Sequence, residues 1–434
     1  MSPNNFSVVT MIFAHMADLH LGGWRDPKLQ KANLRAFEMA VDICIERNVD
    51  FILISGDLFD TSVPPLDTLA FVSKKLSLLK RAGIPVYTIC GSHDYSPSGK
   101  TMLRVFENAE LITNVARGSE ENGKLVLNPT KDKSGAMIVG MFGRKGGLEE
   151  QYYRELDRSI SRGEGYKIFM FHSGIRDYLP EDMKRVEGIP ASLLPKGFDY
   201  YAGGHIHRRS ETDFYGGRLI FPGPIFPCNF REMWDLSDSG CGFFIVDNNK
   251  PTFIRLVLHP ILCHEINADG RTPGEVEAQL AQSVERIVSS SSKETLNSGL
   301  SATGSEGGQI VLWRVFGTLK EGRPTDIDFR RYMEMAYENG AYAVLRNTSG
   351  LSSREYGKVR VSHDTVENLE RRLIEEYAKD EKQAWLIKRF ITAFDTEKAE
   401  GETSSAFEER LNSQAYAIIS GKTVDRGDLN KSFD

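Results

Sequence analysis

Several features are missing from this chain, and each absence narrows the reading. Among 434 residues there are five cysteines, and none falls in a Cys-x-x-Cys pair. Cys44, Cys90, Cys228, Cys241 and Cys263 sit mostly in apolar surroundings. That argues against a disulfide framework or a thiolate zinc site and predicts reduced, buried thiols. No apolar run approaches the roughly 18 residues that a membrane span needs. The first ten residues lack the basic segment and long apolar stretch of a secretory signal, so the expected location is the cytoplasm, close to the nucleoid if the source is prokaryotic. An excess of positive charge is also missing: Lys and Arg total 54 against 60 Asp and Glu, a net charge of -6. Any contact with nucleic acid must therefore come from a local basic surface. Around Ser98-Gly99-Lys100 the full Walker spacing is absent, which excludes a nucleotide loop there.

What remains is a globular composition, 40% hydrophobic and 26% charged, in a chain long enough for two or three domains. Val8 to Ala17 is a dense apolar run that reads as a buried strand, and the stretch Ala14 to Leu21, AHMADLHL, places Asp18 and His20 just beyond it. A helix is expected over Pro27 to Asn48, a strand over Asp50 to Ser55, a helix over Leu66 to Arg81 and a strand over Pro85 to Cys90. Gly56-Asp57 follows the second strand and Gly91-Ser92-His93-Asp94 the third. This βαβαβ order predicts a largely parallel sheet whose loops converge along one edge. Later strands are expected at Ala136 to Phe142, Lys167 to Phe171 and Phe198 to Ala202. The last two run into Phe171-His172-Ser173-Gly174 and Gly203-Gly204-His205-Ile206-His207. Runs near Leu219, Phe243 to Val246 and Phe253 to Leu258 are assigned to a second sheet.

Asp18, His20, Asp57, His172, His205 and His207 form a carboxylate and imidazole set without thiolate. Such donors suit manganese, iron or zinc better than calcium or magnesium. Manganese is preferred, because hard carboxylates and water would share its octahedral shell. Asp57 is the bridge candidate, since its loop lies between the Asp18 loop and the later histidines. Two ions about 3.5 to 4 Å apart would acidify a shared water and stabilise an in-line displacement at phosphorus, so the expected reaction is phosphoester hydrolysis. A lone Asp-x-His pair is more often a turn or cap; recurrence after successive strands is what argues for a metal site. His15 reads instead as a core histidine. His259, His264 and His363 have no partner pattern.

In this order, the motifs DLH, GDLFD, GSHD, FHSG and GGHIH resemble the calcineurin-like metallophosphoesterases. The wider spellings DLHLG, SGDLFD and GSHDYSPSG are similar to the SbcD / Mre-eleven family of double-strand-break repair nucleases. The resemblance covers roughly the first 250 residues by motif. It implies a first Mn2+ held by Asp18, His20, Asp57 and His207, and a second held by Asp57, Ser92, His172 and His205. It gives His93 a place beside the scissile phosphate, with Asp94 orienting that imidazole. Two positions depart from the pattern: Ser92 stands where an asparagine carbonyl is usual, and Asp60 where related nucleases often carry histidine.

The implied fold class is α/β, a layered β-sheet core flanked by helices, with a smaller α/β capping domain and C-terminal helices. The expected domains are a metallophosphoesterase nuclease domain at 1–258, a DNA-binding cap at 259–350 and a helical partner-binding segment at 351–434. In the cap, Thr272-Pro273-Gly274-Glu275 is a strong helix start, and Ser289 to Gly308 reads as a loop. Lys100, Arg208 and Arg209 are the candidate DNA contacts among basic residues that include Arg25, Arg104, Arg144, Lys145 and Arg176. The amphipathic stretch Val366 to Phe394 and a second one with Phe407, Leu411, Ala415 and Ile418 are candidates for gripping a partner, the alternative being that they pack on their own domain or on a second copy. The resemblance points to an SMC-like coiled-coil ATPase of the SbcC type and to a homodimer. The expected function is thus DNA phosphodiester hydrolysis in end processing. The alternatives are a phosphoesterase for small nucleotides or phosphoesters, and a DNA-end scaffold with weak catalysis.

Overall fold

The computed structural model describes residues 11–96, 100–143, 149–161, 165–184, 186, 188–290, 302–303, 307–354, 374, 378, 380–394 and 404–420. They fall into two units, Met1–Glu355 and Tyr356–Asp434. The expectations for the first ten residues, most of 289–308, His363, most of 366–380 and the break at 397–403 lie outside the described residues, as do Ser98, Gly99, Arg144 and Lys145.

In the first unit, Ile12–Met16 pairs in parallel with Phe51–Ser55, which pairs in parallel with Val86–Ile89. The crossovers are the helices Pro27–Glu46 and Leu66–Arg81. The first starts where it does because the Asp26 carboxylate accepts from the amides of Lys28 and Leu29, with Pro27 in the first turn. On its other side Ile12–Met16 pairs antiparallel with Cys241–Asp247, which continues into Lys250–Val257. Seven strands make up this sheet among the described residues. Six others form a second sheet, in the order Ser210–Phe214, Gly217–Phe221, Tyr200–Gly204, Lys167–His172, Met137–Gly140 and Thr130–Lys131.

The two sheets pack face to face. Phe13, Phe51, Leu53 and Phe244 of the first meet Ile138, Ile168, Met170, Tyr200 and Ile220 of the second. Alternate residues of the same strands, including Ala14, Met16, Ile52 and Ile54, pack toward the helices. Period-two alternation with both faces apolar is why these strands read as continuous hydrophobic runs. His15 lies in the layer between the sheets, fully buried. Its Nδ1 is 3.0 Å from the Tyr200 hydroxyl and its Nε2 3.0 Å from Ser55 Oγ. Burial holds it neutral, with a pKa down at about 3, as expected of a core histidine.

One strand assignment needs correction. The runs at Phe243 and Phe253 were expected to join the second sheet with the Leu219 strand, but only Gly217–Phe221 does so. Cys241–Asp247 and Lys250–Val257 extend the first sheet. Phe243 and Ile245 face the helical side while Phe244 and Val246 face the intersheet core. Apolar pattern reports burial on two faces but says nothing of which strand lies alongside.

Residues 261–353 form a third, wholly parallel sheet of Ile261–Asn267, Gln309–Leu319 and Ala341–Ser353, with helices Pro273–Ser290 and Phe329–Glu338. The expected helix start is a reciprocal cap: the Thr272 hydroxyl accepts from the Glu275 amide, and the Glu275 carboxylate accepts from the Thr272 amide. Val276, Leu280, Val284 and Ile287 bury against Val311, Trp313 and Val315. Ile310, Leu312 and Ala343 join the core of the first sheet and its helices. The second unit contains the helices Glu381–Phe394 and Ser404–Ile419.

Phe13 is the test of the sheet-on-sheet packing. It is wholly buried, stacked on Phe51 at 5.1 Å and edge-on to Tyr200 at 5.1 Å. Phe13→Ala is expected to lower the unfolding free energy by about 3–5 kcal/mol in a urea titration. A loss below about 1 kcal/mol would mean that the two sheets do not depend on this layer.

Candidate metal centre

The site is assembled where the strands of both sheets end. The Asp18 amide donates to the Gly56 carbonyl at 3.2 Å, that of His20 to Asp57 at 3.0 Å, and that of Leu21 to Leu58 at 3.1 Å. The two loops thus lie side by side beyond Ile12–Met16 and Phe51–Ser55. Asp18, His20, Asp57 and His205 have φ of 54°, 44°, 49° and 85°. The left-handed region costs a non-glycine residue about 1–3 kcal/mol and marks sites over-determined by their surroundings. Two glycines permit the close approach. A Cβ on Gly56 would stand 2.3 Å from His172 Nδ1, and one on Gly204 would stand 1.9 Å from the Ser55 carbonyl oxygen.

His20 and His207 face each other with their Nε2 atoms 3.3 Å apart. The far nitrogen of each ring already has a carboxylate: His20 Nδ1 is 3.1 Å from Asp60 Oδ1, and His207 Nδ1 is 3.0 Å from Glu232 Oε1. A neutral imidazole has one N–H, and here both are directed to carboxylates, so two lone pairs converge at Nε2. Two nitrogens bound to one metal at about 2.0–2.1 Å stand about 3.0–3.4 Å apart, which is this spacing. With protein groups alone, a proton bridges the pair. Burial disfavours that charge on His207, but the Glu232 hydrogen bond and the Asp18 charge outweigh it and hold the pKa up at about 9. A divalent cation satisfies the same lone pairs. Asp18 Oδ1 lies 3.8 Å from His207 Nε2, and Asp57 Oδ2 lies 3.6 Å from His20 Nε2.

A second convergence shares Asp57. Its Oδ1 accepts from the His93 amide at 2.8 Å, which leaves Oδ2 turned toward His172 Nε2 at 3.2 Å and Ser92 Oγ at 3.4 Å. His172 Nδ1 donates to the Ser55 carbonyl at 2.8 Å, and its Nε2 is buried without a hydrogen-bond partner despite its closeness to that carboxylate. A backbone acceptor on the far nitrogen is the usual way an imidazole is aimed at a metal. Burial opposes a charge on this ring too, yet Asp57 and Asp18 raise its pKa to about 10. Asp57 is in turn held well below the ordinary carboxylate range by His172 in spite of its burial. Asp18, Asp57 and His172 present ligand atoms within 4.8 Å of one another. His205 is tied in mainly through its backbone, whose amide donates to Asp18 Oδ1 at 2.9 Å. Its ring lies beside that of His172, centroids 5.3 Å apart, and burial and the His172 charge keep it neutral, with a pKa near 3.

His93 stands at the rim, edge-on to His20 with centroids 4.7 Å apart, and its Nδ1 is 2.8 Å from the Asp60 carbonyl. The Asp94 carboxylate, expected to orient that imidazole, is bonded instead to backbone amides. It is buried and accepts from the amides of Gly91 at 2.8 Å and Phe59 at 3.3 Å, so it ties two loops together. Burial, then the nearby Asp57 charge, pushes its pKa up to about 6. The candidate DNA contacts differ among themselves. Lys100 is exposed, Arg208 is paired with Asp182 at 2.8 and 3.2 Å, and Arg209 lies 4.2 Å over the Phe253 ring. Arg176 is likewise paired with Glu150.

Sequence reasoning missed Glu232 and Cys228. Glu232 belongs to Phe230–Asp235, a helix capped by Asn229, and Cys228 lies with His20 and His207 in a set of ligand atoms within 4.8 Å of one another. The one available signal was Asn229 followed three residues later by Glu232, a helix start with an acid in its first turn.

Residues 11–209 match the family described as Calcineurin-like phosphoesterase. The chain is 30% identical over 251 residues to the DNA double-strand break repair protein Mre11 of Methanococcus maripaludis, an alignment covering 55% of this chain and 63% of that one. It is 31% identical over 242 residues to the protein of that name from Methanocaldococcus jannaschii, covering 55% and 62%. With the Mre11 of Archaeoglobus fulgidus it is 23% identical over 433 residues, 95% of this chain and 91% of the relative. The chain thus spans somewhat under two thirds of the first of these relatives, and nearly all of the Archaeoglobus one. Residues 11–209 of the chain thus match the calcineurin-like phosphoesterase family, and the chain is similar to the archaeal Mre11 proteins.

Proposed function

We propose that the chain hydrolyses phosphodiester bonds of DNA with two manganese ions, as the nuclease of a double-strand-break repair assembly. The observation that carries this reading is Asp57 Oδ2, turned at once toward His20 Nε2 and His172 Nε2, two nitrogens whose partner atoms are already satisfied. Asp18, His20, Asp57 and His207 hold the first ion; Asp57, Ser92, His172 and His205 surround the second. Hard carboxylates beside imidazoles favour manganese. When bound, the ions acidify water and neutralise charge on the phosphate.

The remaining tasks fall to the chain. Asp60 and Glu232 fix the tautomers of His20 and His207, so that lone pairs rather than protons point inward. Asp94 keeps the Gly91 and Phe59 backbones in place, and with them the loop that carries His93. His93 Nδ1 donates to the Asp60 carbonyl, so Nε2 is the atom left to face the leaving oxygen, and it gives up a proton there when the ring is the doubly protonated imidazolium. Ser92, 3.4 Å from Asp57 Oδ2, offers a neutral hydroxyl and a weaker second site than a carbonyl would.

DNA as substrate is supported by the names of the Mre11 relatives and by the third sheet, which is packed into the same core as the metal-bearing strands. A smaller phosphoester is the second reading, favoured by the pairing of Arg208 with Asp182 and of Arg176 with Glu150, which leaves fewer free cations at the rim. Residues 1–258 would then carry the chemistry, 259–350 would cap it and 351–434 would recruit a partner. Trp385, Phe394, Tyr416 and Ile419 are exposed apolar residues on the two C-terminal helices, which supports pairing with an SMC-like coiled-coil ATPase of the SbcC type, in a homodimeric assembly.

End-labelled duplex DNA should be degraded with added manganese and left intact with chelator, faster than a generic small phosphodiester at equal concentration. A strong preference for the small ester would replace this reading with the second one. His93→Ala should slow cleavage about 10²–10⁴-fold with metal content unchanged; loss of metal in that variant would instead make His93 a ligand. Glu232→Gln should weaken binding of the first ion about 10–100-fold by calorimetry, because a neutral amide holds the His207 N–H less firmly than the carboxylate and makes its Nε2 a poorer donor. Unaltered affinity would show that Glu232 is a bystander.

A further inference from the structure

The first ligand set contains a sulfur that the family pattern does not include. Cys228 presents its Sγ with nitrogens of His20 and His207, all within 4.8 Å of one another; the residue is half-buried, and its thiol, whose pKa burial pushes well up, donates to the Phe226 carbonyl at 3.8 Å. The residue is held there from two sides. Its amide donates to Glu232 Oε2 at 2.9 Å, while Oε1 of the same carboxylate pairs with His207 Nδ1 at 3.0 Å, so one side chain fixes both the imidazole and the cysteine backbone. The carbonyl of the preceding Pro227 accepts from Trp24 Nε1 at 2.8 Å. A second observation supports a cation at this place: His20, 4% exposed, turns its Nε2 to that of His207 at 3.3 Å with both far nitrogens occupied by carboxylates.

We propose that Cys228 is a ligand of the first metal site when that site takes zinc, completing a His20–His207–Cys228 set that selects the softer ion over manganese. Thiolate and two imidazoles are a donor set for tetrahedral zinc, whereas manganese favours oxygen donors and a wider shell. Coordination replaces the thiol proton, which passes to the buffer. The site therefore has two loaded forms: a manganese form built on carboxylates, imidazoles and water, and a zinc form in which sulfur closes a position that water would otherwise hold. These three donors leave one tetrahedral position, which Asp57 Oδ2, 3.6 Å from His20 Nε2, is placed to take; a site closed in that way has no open position for the nucleophile, so zinc is an inhibitor of this chain. This rests on the reading of His20 and His207 as the first metal site of a phosphodiesterase.

The full chain, as wild type, Cys228→Ser and Cys228→Ala, would be titrated with cobalt(II) and, separately, with zinc in competition with manganese. The expected result is a sulfur-to-cobalt charge-transfer band in the near ultraviolet for the wild type and none for either variant. The preference for zinc over manganese should fall about tenfold or more in both. Urea midpoints within error of the wild type would show that the variants are folded, and agreement of the serine and alanine forms separates lost coordination from lost packing. Absence of the band in the wild type, or equal bands in all three proteins, would overturn the inference. Failure of the functional reading looks different: wild type that shows the Cys228-dependent band yet cleaves no DNA with manganese would keep the sulfur ligand and remove the nuclease.

Discussion

The molecule is organised around a crowding of buried carboxylates and imidazoles at one place. Two buried carboxylates, Asp18 and Asp57, meet His172, His205, His20 and His207 at the ends of strands from two sheets. Buried charge without a partner is among the costliest things a fold can contain. Here the charges are offset within the protein by protons on His172 and His207, whose pKa values are raised to about 10 and about 9. Those protons stand where divalent cations would stand. The same geometry that strains the protein is what gives a metal its affinity.

Rigidity follows from that demand. Four ligand-bearing residues adopt left-handed backbone, and Gly56 and Gly204 leave no room for a side chain against His172 and the Ser55 carbonyl. Four of the candidate ligands have a fixed second contact: Asp60 for His20, Glu232 for His207, the Ser55 carbonyl for His172, and the His205 amide for Asp18. Beneath them, the aromatic layer of Phe13, Phe51 and Tyr200 clamps one sheet to the other, so the two sets of strand ends hold one relative position.

The third sheet is tied to this arrangement. Arg314 of Gln309–Leu319 lies 4.0 Å over the Trp234 ring, in the short helix that supplies Glu232. On another side Tyr342 and Lys28 exchange hydrogen bonds, the Tyr342 hydroxyl donating to the Lys28 carbonyl at 2.8 Å and the Lys28 ammonium to the Tyr342 carbonyl at 3.0 Å. His259 stacks on Tyr342 at 3.6 Å, where the chain passes from one sheet to the next. Glu232 is thereby supported by residues more than eighty positions further along the chain.

The sequence by itself determined the strands and helices of the first hundred residues, because apolar alternation and a capped amphipathic helix are local properties. It also singled out Asp18, His20, Asp57, His172, His205 and His207 as candidate ligands, since each lies at or shortly beyond a strand end. Tertiary structure alone decided which sheet each later strand joined, as with Cys241–Asp247, because burial on two faces carries no address for a neighbour. It alone gave Asp94 to the Gly91 and Phe59 amides rather than to His93, paired Arg208 with Asp182, and brought Glu232 and Cys228 to the first ligand set. Second contacts of this kind are set by where a side chain ends in space, and that position depends on the packing of two sheets whose strands lie far apart in the chain.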